Sequence, residues 1–266
     1  MPGAGGIVAA NYMDQVAPHD GTVLCVPSEQ VALDQLFDTT GVAYDPAKFL
    51  WIGRMTPSET AYFTWFTSPV KTFADLQKRE TTFGSSGSGA TTDAPHALMA
   101  LAGAKFKLVL GYRGSADVLL AFERGEIEGA YALWPDLQKR KAEWLADKKV
   151  NLIFTIGERR LKDTPDVPNL DELAPTDEGR AILKFFESTG RVGRAMLTTA
   201  DVPADRLAML RKAFVETMAD PGLLADAEKL GMPVDPLDGA ALQGIVAESL
   251  RTPRDLVAKA KVFREQ

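Results

Sequence analysis

The chain has 266 residues, a net charge of −6, one cysteine and two histidines. At roughly 100–200 residues per domain, that length suits two lobes or one large domain, with enough chain to bury a core without covalent staples. The acidic balance argues against a general nucleic-acid partner, Cys25 alone excludes an internal disulfide or a cysteine-built zinc site, and no apolar run nears the roughly 18–20 residues of a membrane span.

The opening Met1-Pro2-Gly3-Ala4-Gly5-Gly6 passes straight into a helix-like stretch, where a leader would show a positive and then an apolar region. Ile7 to Val16 reads as a helix closed by Pro18 and the Asp20-Gly21 turn signal. Thr22 to Val26 reads as a short buried strand, and Ser28 as the N-cap of a helix carrying Val31, Leu33, Leu36 and Phe37. Phe49 to Met55 and Tyr62 to Phe66 read as strands from their aromatic and branched content. Thr72 caps a short helix, and Thr82 to Gly84 ends a strand.

The alternation continues. A helix near Ala94 to Ala102 precedes a strand from Phe106 to Leu110. A helix from Ser115 to Arg124 precedes a strand near Ile127 to Leu133. A helix from Pro135 precedes a strand from Leu152 to Ile156. Such β–α order predicts mainly parallel sheets flanked by helices. Residues 160–176 are loop-like and rich in Pro and Asp; Glu178 to Ser188 reads as a helix and Arg194 to Thr198 as a strand. From Pro203 onward the pattern is nearly all helical, interrupted at Pro221, Gly231, Pro233, Pro236 and Pro253.

The stretch Gly84-Ser85-Ser86-Gly87-Ser88-Gly89 lies between a strand end and a helix. Small residues let backbone amides approach a ligand, hydroxyls add donors, and the start of the following helix carries partial positive charge, so the pattern suits a carboxylate or phosphate. No Lys-Ser/Thr follows the glycines and no G-x-G-x-x-G spacing is present, so neither a P-loop nor a dinucleotide fingerprint fits. The plainer reading is a flexible turn. Gly111-Tyr112-Arg113-Gly114-Ser115 repeats the strand-to-helix placement, with Tyr112 as a flat wall, Arg113 as a carboxylate partner and Ser115 as N-cap. Here the plainer reading is a capped turn with a surface arginine. Glu123-Arg124-Gly125-Glu126 fits a solvated helix end better than acid–base chemistry. Trp134 suits a pocket wall or core equally. His19 and His96 lack zinc-enzyme spacing, no G-x-S-x-G elbow is present, and Cys25 reads as an inert core thiol.

These motifs, in this order, resemble the extracytoplasmic solute-binding receptors of tripartite tricarboxylate transporters, the TctC or Bug family. Pro2-Gly3-Ala4-Gly5-Gly6 is similar to that family's opening turn, Gly84–Gly89 to its ligand loop, and Gly111-Tyr112-Arg113-Gly114 with Glu123-Arg124-Gly125-Glu126 to one branch's signature. Asp166-Val167-Pro168, Pro203-Ala204-Asp205-Arg206-Leu207 and Asp220-Pro221 extend the likeness over essentially the whole chain. The resemblance implies an α/β, two-lobed periplasmic-binding-protein-like fold of type II. Lobe one would be residues 1–63 plus 195–266, and lobe two residues 64–194, with crossings near Phe63 to Phe66 and Arg194 to Thr198. It implies a periplasmic, monomeric receptor that closes on a small carboxylate and delivers it to membrane permease subunits, with no enzyme activity, cofactor, metal, nucleic acid or membrane insertion. The ligand would meet Ser85, Ser86, Gly87, Ser88, Gly89, Tyr112, Arg113, Ser115 and Trp134, with Ala4 and Gly5 adding amides from lobe one. Relative to the family, we expect this sequence to lack an opening β–α–β piece and, with it, half of the ligand clamp. Two other functions stay open: a sensing module of the same fold that signals to a partner, and a serine hydrolase using His96 as base.

Overall fold

The structure, a computed structural model, describes residues 6–85 and 90–264. The first part of the chain forms α1 (Ile7–Gln15), β1 (Leu24–Cys25), α2 (Val31–Leu36), β2 (Leu50–Arg54), β3 (Thr60–Trp65), α3 (Phe73–Leu76) and β4 (Thr81–Gly84). The middle adds α4 (Ala90–Ala102), β5 (Phe106–Val109), α5 (Ser115–Glu123), β6 (Gly129–Leu133), α6 (Trp134–Arg140), α7 (Ala142–Ala146) and β7 (Val150–Ile156). A 3-10 turn (Leu170–Leu173) then leads to α8 (Asp177–Val192), β8 (Ala195–Thr198), α9 (Ala204–Met218), α10 (Pro221–Leu230), β9 (Leu237–Asp238), α11 (Gly239–Leu250) and α12 (Arg254–Lys261).

Contacts divide the chain into two units: residues 1–58 with 189–253, and residues 59–188 with 254–266. The sequence reading placed the changes at 63/64 and 194/195 and kept the C-terminus in the first lobe. The shift has a local cause. β3 belongs wholly to the second sheet, from Thr60 to Trp65, so the chain leaves the first unit before that strand begins. The C-terminus leaves the first unit because α12 and the residues after it bury Val257, Ala260 and Phe263 in the second. There Lys259 meets Glu178 of α8 at 2.6 Å.

The first unit has a four-stranded sheet in the order β1-β8-β2-β9, and every pairing is antiparallel. That corrects the expectation of a mainly parallel sheet: β8, far downstream in sequence, inserts between β1 and β2. The Thr22 to Val26 run yields only the two-residue β1, with Leu24 and Val26 exposed, because β1 is a sheet edge rather than a buried strand. The core gathers Ile7 and Met13 of α1, Tyr44, Phe49 and Trp51 around β2, Leu197 of β8, and Leu242 and Val246 of α11. Ser28 does not cap α2 directly; its Oγ accepts from the Gln30 amide at 3.2 Å in the turn before the helix.

The second unit has a five-stranded sheet in the order β5-β4-β6-β3-β7. β4 runs parallel to β5 and β6, whereas β3 runs antiparallel to β6 and β7. β4, β5, β6 and β7 therefore share one direction, and β3 alone opposes them. Alternate side chains of β3 go to opposite faces, as a pleated strand requires. Tyr62 stacks on Phe154 at 4.3 Å, while Phe63 and Trp65 meet Phe122 and Trp144 on the other side. Thr72 caps α3 in a reciprocal box with Asp75, as its sequence position suggests.

Candidate functional site

The shared direction of four strands brings their carboxyl ends to one edge of the second sheet. Gly84 of β4 lies opposite Val109 of β5, and the Ser85 amide extends the ladder to the Val109 carbonyl at 2.9 Å. Leu133 of β6 and Ile156 of β7 both lie opposite Thr60. The two loops singled out in the sequence thus leave adjacent parallel strands and lead into α4 and α5. Ligands of open α/β sheets bind at such carboxyl ends.

Ser85 is the last described residue before the Ser/Gly loop; Ser86, Gly87, Ser88 and Gly89 lie outside the described residues, as do Ala4 and Gly5. Ser85 is fully buried. Its Oγ lies 2.6 Å from Thr92 Oγ1 and donates to the Thr91 carbonyl at 3.3 Å. Pro95 explains why that carbonyl accepts an outside donor. A proline inside a helix has no N–H to give the carbonyl four residues earlier, which here is Thr91. Ser85 therefore anchors the end of β4 to the first turn of α4.

Tyr112 packs over the end of β4. A Cβ added to Gly84 would lie 3.1 Å from Tyr112 Cε2, and 2.9 Å from Ile127 Cδ1 and Val118 Cγ1. Tyr112 is half-buried. Arg113 is exposed, and its amide donates weakly to Asp117 Oδ2 at 3.4 Å. Ser115 is not the cap: Gly114 holds that position without a side-chain bond, and Ser115 is the first helical residue. Trp134 is only 5% exposed and sits at the start of α6, where its amide donates to the Glu59 carbonyl at 2.8 Å. Its side chain is packed into the core at this edge.

The helix that follows the Ser/Gly loop carries a buried acid in its first turn. Asp93 Oδ2 lies 3.4 Å from Arg264 Nε; burial first, then Tyr131 and then the Asp93 charge hold the Tyr62 hydroxyl well above the ordinary tyrosine range. The small-residue stretch marked in the sequence runs on to Thr92, and Asp93 falls just beyond it. The only local signal was their place directly after the loop, next to a proline.

The remaining candidates resolve plainly. Glu123, Arg124 and Glu126 are exposed at the end of α5, with Gly125 at φ 72° as the helix stop. His96 Nδ1 faces the Phe263 carbonyl at 3.1 Å, which leaves that nitrogen occupied rather than paired with a serine. Cys25 is half-buried, and burial pushes its thiol up, away from the reactive thiolate form. Among the described residues, no cluster suited to a metal is present, and no helix is long and apolar enough to cross a membrane.

Two α/β units joined by three chain passages, one of them with two strand-to-helix loops at a common sheet edge, define a two-lobed periplasmic-binding-protein fold. Solved structures share it. A TctC solute-binding protein from Polaromonas superposes with a TM-score of 0.70 at 18% identity, over 97% of this chain and 85% of its own. MatC from Rhodopseudomonas palustris, with bound malate, gives 0.64 at 19% identity, over 96% of this chain and 85% of its own. The chain belongs to the tripartite tricarboxylate transporter receptor family, TctC, whose model matches residues 1–261. The UPF0065 protein in the gbd 5′ region of Cupriavidus necator is 30% identical over 184 residues, 65% of this chain. The match spans about half, 52%, of that curated relative's length. Members of this family are substrate-binding proteins, not enzymes, which removes the hydrolase alternative.

Proposed function

We propose that this chain is an extracytoplasmic receptor that binds a small carboxylate at the carboxyl edge of the second sheet and delivers it to the permease of a tripartite tricarboxylate transporter. The observation that carries the reading is that β4 and β5 run parallel side by side, with Gly84 opposite Val109, so that the segments following them, Ser85 to Gly89 and Leu110 to Gly114, start from adjacent strand ends. Backbone amides and the hydroxyls of Ser86 and Ser88 would donate to one carboxylate, at the start of α4. Tyr112 would flank the ligand, Arg113 would supply the cation, and Ser115 would add a donor at the start of α5. Ser85 and Trp134 would hold these groups in place from behind. Malate in MatC, a protein of the same fold, supports an acid of this size.

A thermal-shift panel of di- and tricarboxylates, aromatic acids and amino acids tests the proposal. At least one acid should raise the melting temperature in a saturable manner. At ligand a hundredfold above Kd the linkage is about 2.7 kcal/mol, a shift of several degrees for a protein of this size. A flat response across the panel would count against it. The alternative sensing role has no specific observation in its favour.

A further inference from the structure

The chain after β7 makes a loop that closes on its own base. Thr155, inside β7, donates its amide to the Pro168 carbonyl at 3.0 Å, and Asn169 Nδ2 donates to the Gly157 carbonyl at 2.9 Å. Arg160 braces the loop from within: its Nε donates to Glu172 Oε1 at 2.8 Å, and its Nη1 to the Pro165 carbonyl at 2.7 Å. At the base, Asn169 is 2% exposed and Glu187 of α8 is 4% exposed. The Asn169 amide nitrogen has two hydrogens but faces three oxygens: the Gly157 carbonyl, Asp171 Oδ1 at 3.2 Å and Glu187 Oε1 at 2.9 Å. Two carboxyl groups thus converge on one nitrogen, and Glu187 Oε1 also accepts from the Asp171 amide at 2.9 Å. Carboxyl groups that share a poorly hydrated site do not both ionise readily, so one keeps its proton. Glu187 is the more buried of the two; burial first, and then the Asp171 carboxylate, push it up to about 8. The other charges that act on it have lesser effects: Lys184 on its own helix lowers it, and Glu172, itself paired with Arg160, raises it least.

We propose that Glu187 and Asn169 form a proton-governed latch: protonated Glu187 holds the base of the 157–168 loop against α8, and loss of that proton to solvent favours a locally opened loop. Once the base opens, Glu187 meets water and titrates as an ordinary carboxyl near 4.5. Between about pH 5 and about pH 8 the opened form has lost its proton while the closed form keeps it, so each pH unit favours opening about tenfold. Above about pH 8 both forms have lost it, and the trend levels off. The latch lies wholly within the second unit and does not depend on which ligand the protein binds.

Backbone hydrogen exchange of the full chain, followed by mass spectrometry and corrected for the intrinsic pH dependence of exchange, tests this. Peptides covering residues 157–173 should lose protection about tenfold per unit from about pH 5 to about pH 8 and then level off. At every pH they should be less protected than a peptide covering β6 (Gly129–Leu133), because the opening is local. Glu187→Gln retains an accepting oxygen and cannot ionise, so it should remove the pH dependence and keep the loop protected. A parent loop whose protection is indifferent to pH, or a folded Glu187→Gln whose profile follows the parent's, would overturn the inference. Equal protection of loop and β6 would overturn it too, since the opening would then be global. If Glu187→Gln does not fold, Asp171→Asn decides: removing the facing charge should move the levelling-off to lower pH, and a profile identical to the parent's would contradict the latch.

Discussion

Gly84 carries a constraint out of proportion to its size. An added Cβ would crowd Ile127, Val118 and Tyr112 together, at 2.9 to 3.1 Å. Gly84→Ala should therefore cost about 1–3 kcal/mol by overpacking and weaken acid binding several-fold, because Tyr112 is the side chain with room to move. Urea denaturation and titration of the same variant separate the two effects; full affinity with Tyr112 displaced would remove Tyr112 from the site. Glu187 is the other residue with a distinct signature. It is buried in α8, where its Oε1 accepts from Asn169 Nδ2 and the Asp171 amide, both at 2.9 Å. Burial first, and then the Asp171 carboxylate, push its carboxyl up to about 8, against the smaller opposing effects of the Asp171 amide and Lys184; Glu172 adds least. A carboxyl raised in the folded state holds its proton longer there, so stability is intact below its unfolded value near 4.5 and falls as pH rises through about 8. Glu187→Gln keeps the accepting oxygen and removes the titration. Its melting temperature should fall less than the parent's between about pH 5 and pH 8.5, and parallel curves would contradict the assignment. At this scale the sequence was legible only in part. Ser85 reads in the sequence as a ligand donor of the loop, whereas the bonds it makes depend on a carbonyl left open by Pro95 ten residues on. That relation appears only once strand and helix are placed together.

The elements repeat this division between what is local and what is not. Thr72 with Asp75, and Pro135 at the start of α6, act through their immediate neighbours, and both helices begin where the residues suggest. Sheet order depends on distant partners. β8 pairs with β1 and β2, and β3 separates β6 from β7, so neither the antiparallel first sheet nor the lone opposing strand of the second could be read from the alternation of strands and helices. The two-residue β9 has no periodicity to find; it exists because Leu237 and Asp238 lie opposite Arg54 and Gly53. The pairing of β4 with β6 turns on one position. Gly129 lies opposite Phe83, and a Cβ there would fall 2.3 Å from the Phe83 ring. Gly129→Ala should destabilise the second unit by about 3 kcal/mol, at the upper end for overpacking, since a buried aromatic ring between two strands cannot swing aside. A urea midpoint equal to the parent's would show that the ring relaxes.

On the scale of the whole molecule, family and fold class were legible because the motifs keep their order along the entire chain, and the family match over residues 1–261 bears this out. The return of α12 to the second unit was not legible. Its apolar positions Val257 and Ala260 show that one face is covered, but not by which unit. The charge balance of −6 argues against a nucleic-acid partner, and the partner we propose instead is a small acid. Calorimetric titration of the full chain with a panel of small mono-, di- and tricarboxylates examines that claim most directly. We expect saturable binding of at least one acid at one site per chain, lost or strongly weakened when Tyr112 and Arg113 are replaced by alanine. Heatless titrations across the panel by a folded protein, or tight binding indifferent to both substitutions, would contradict it.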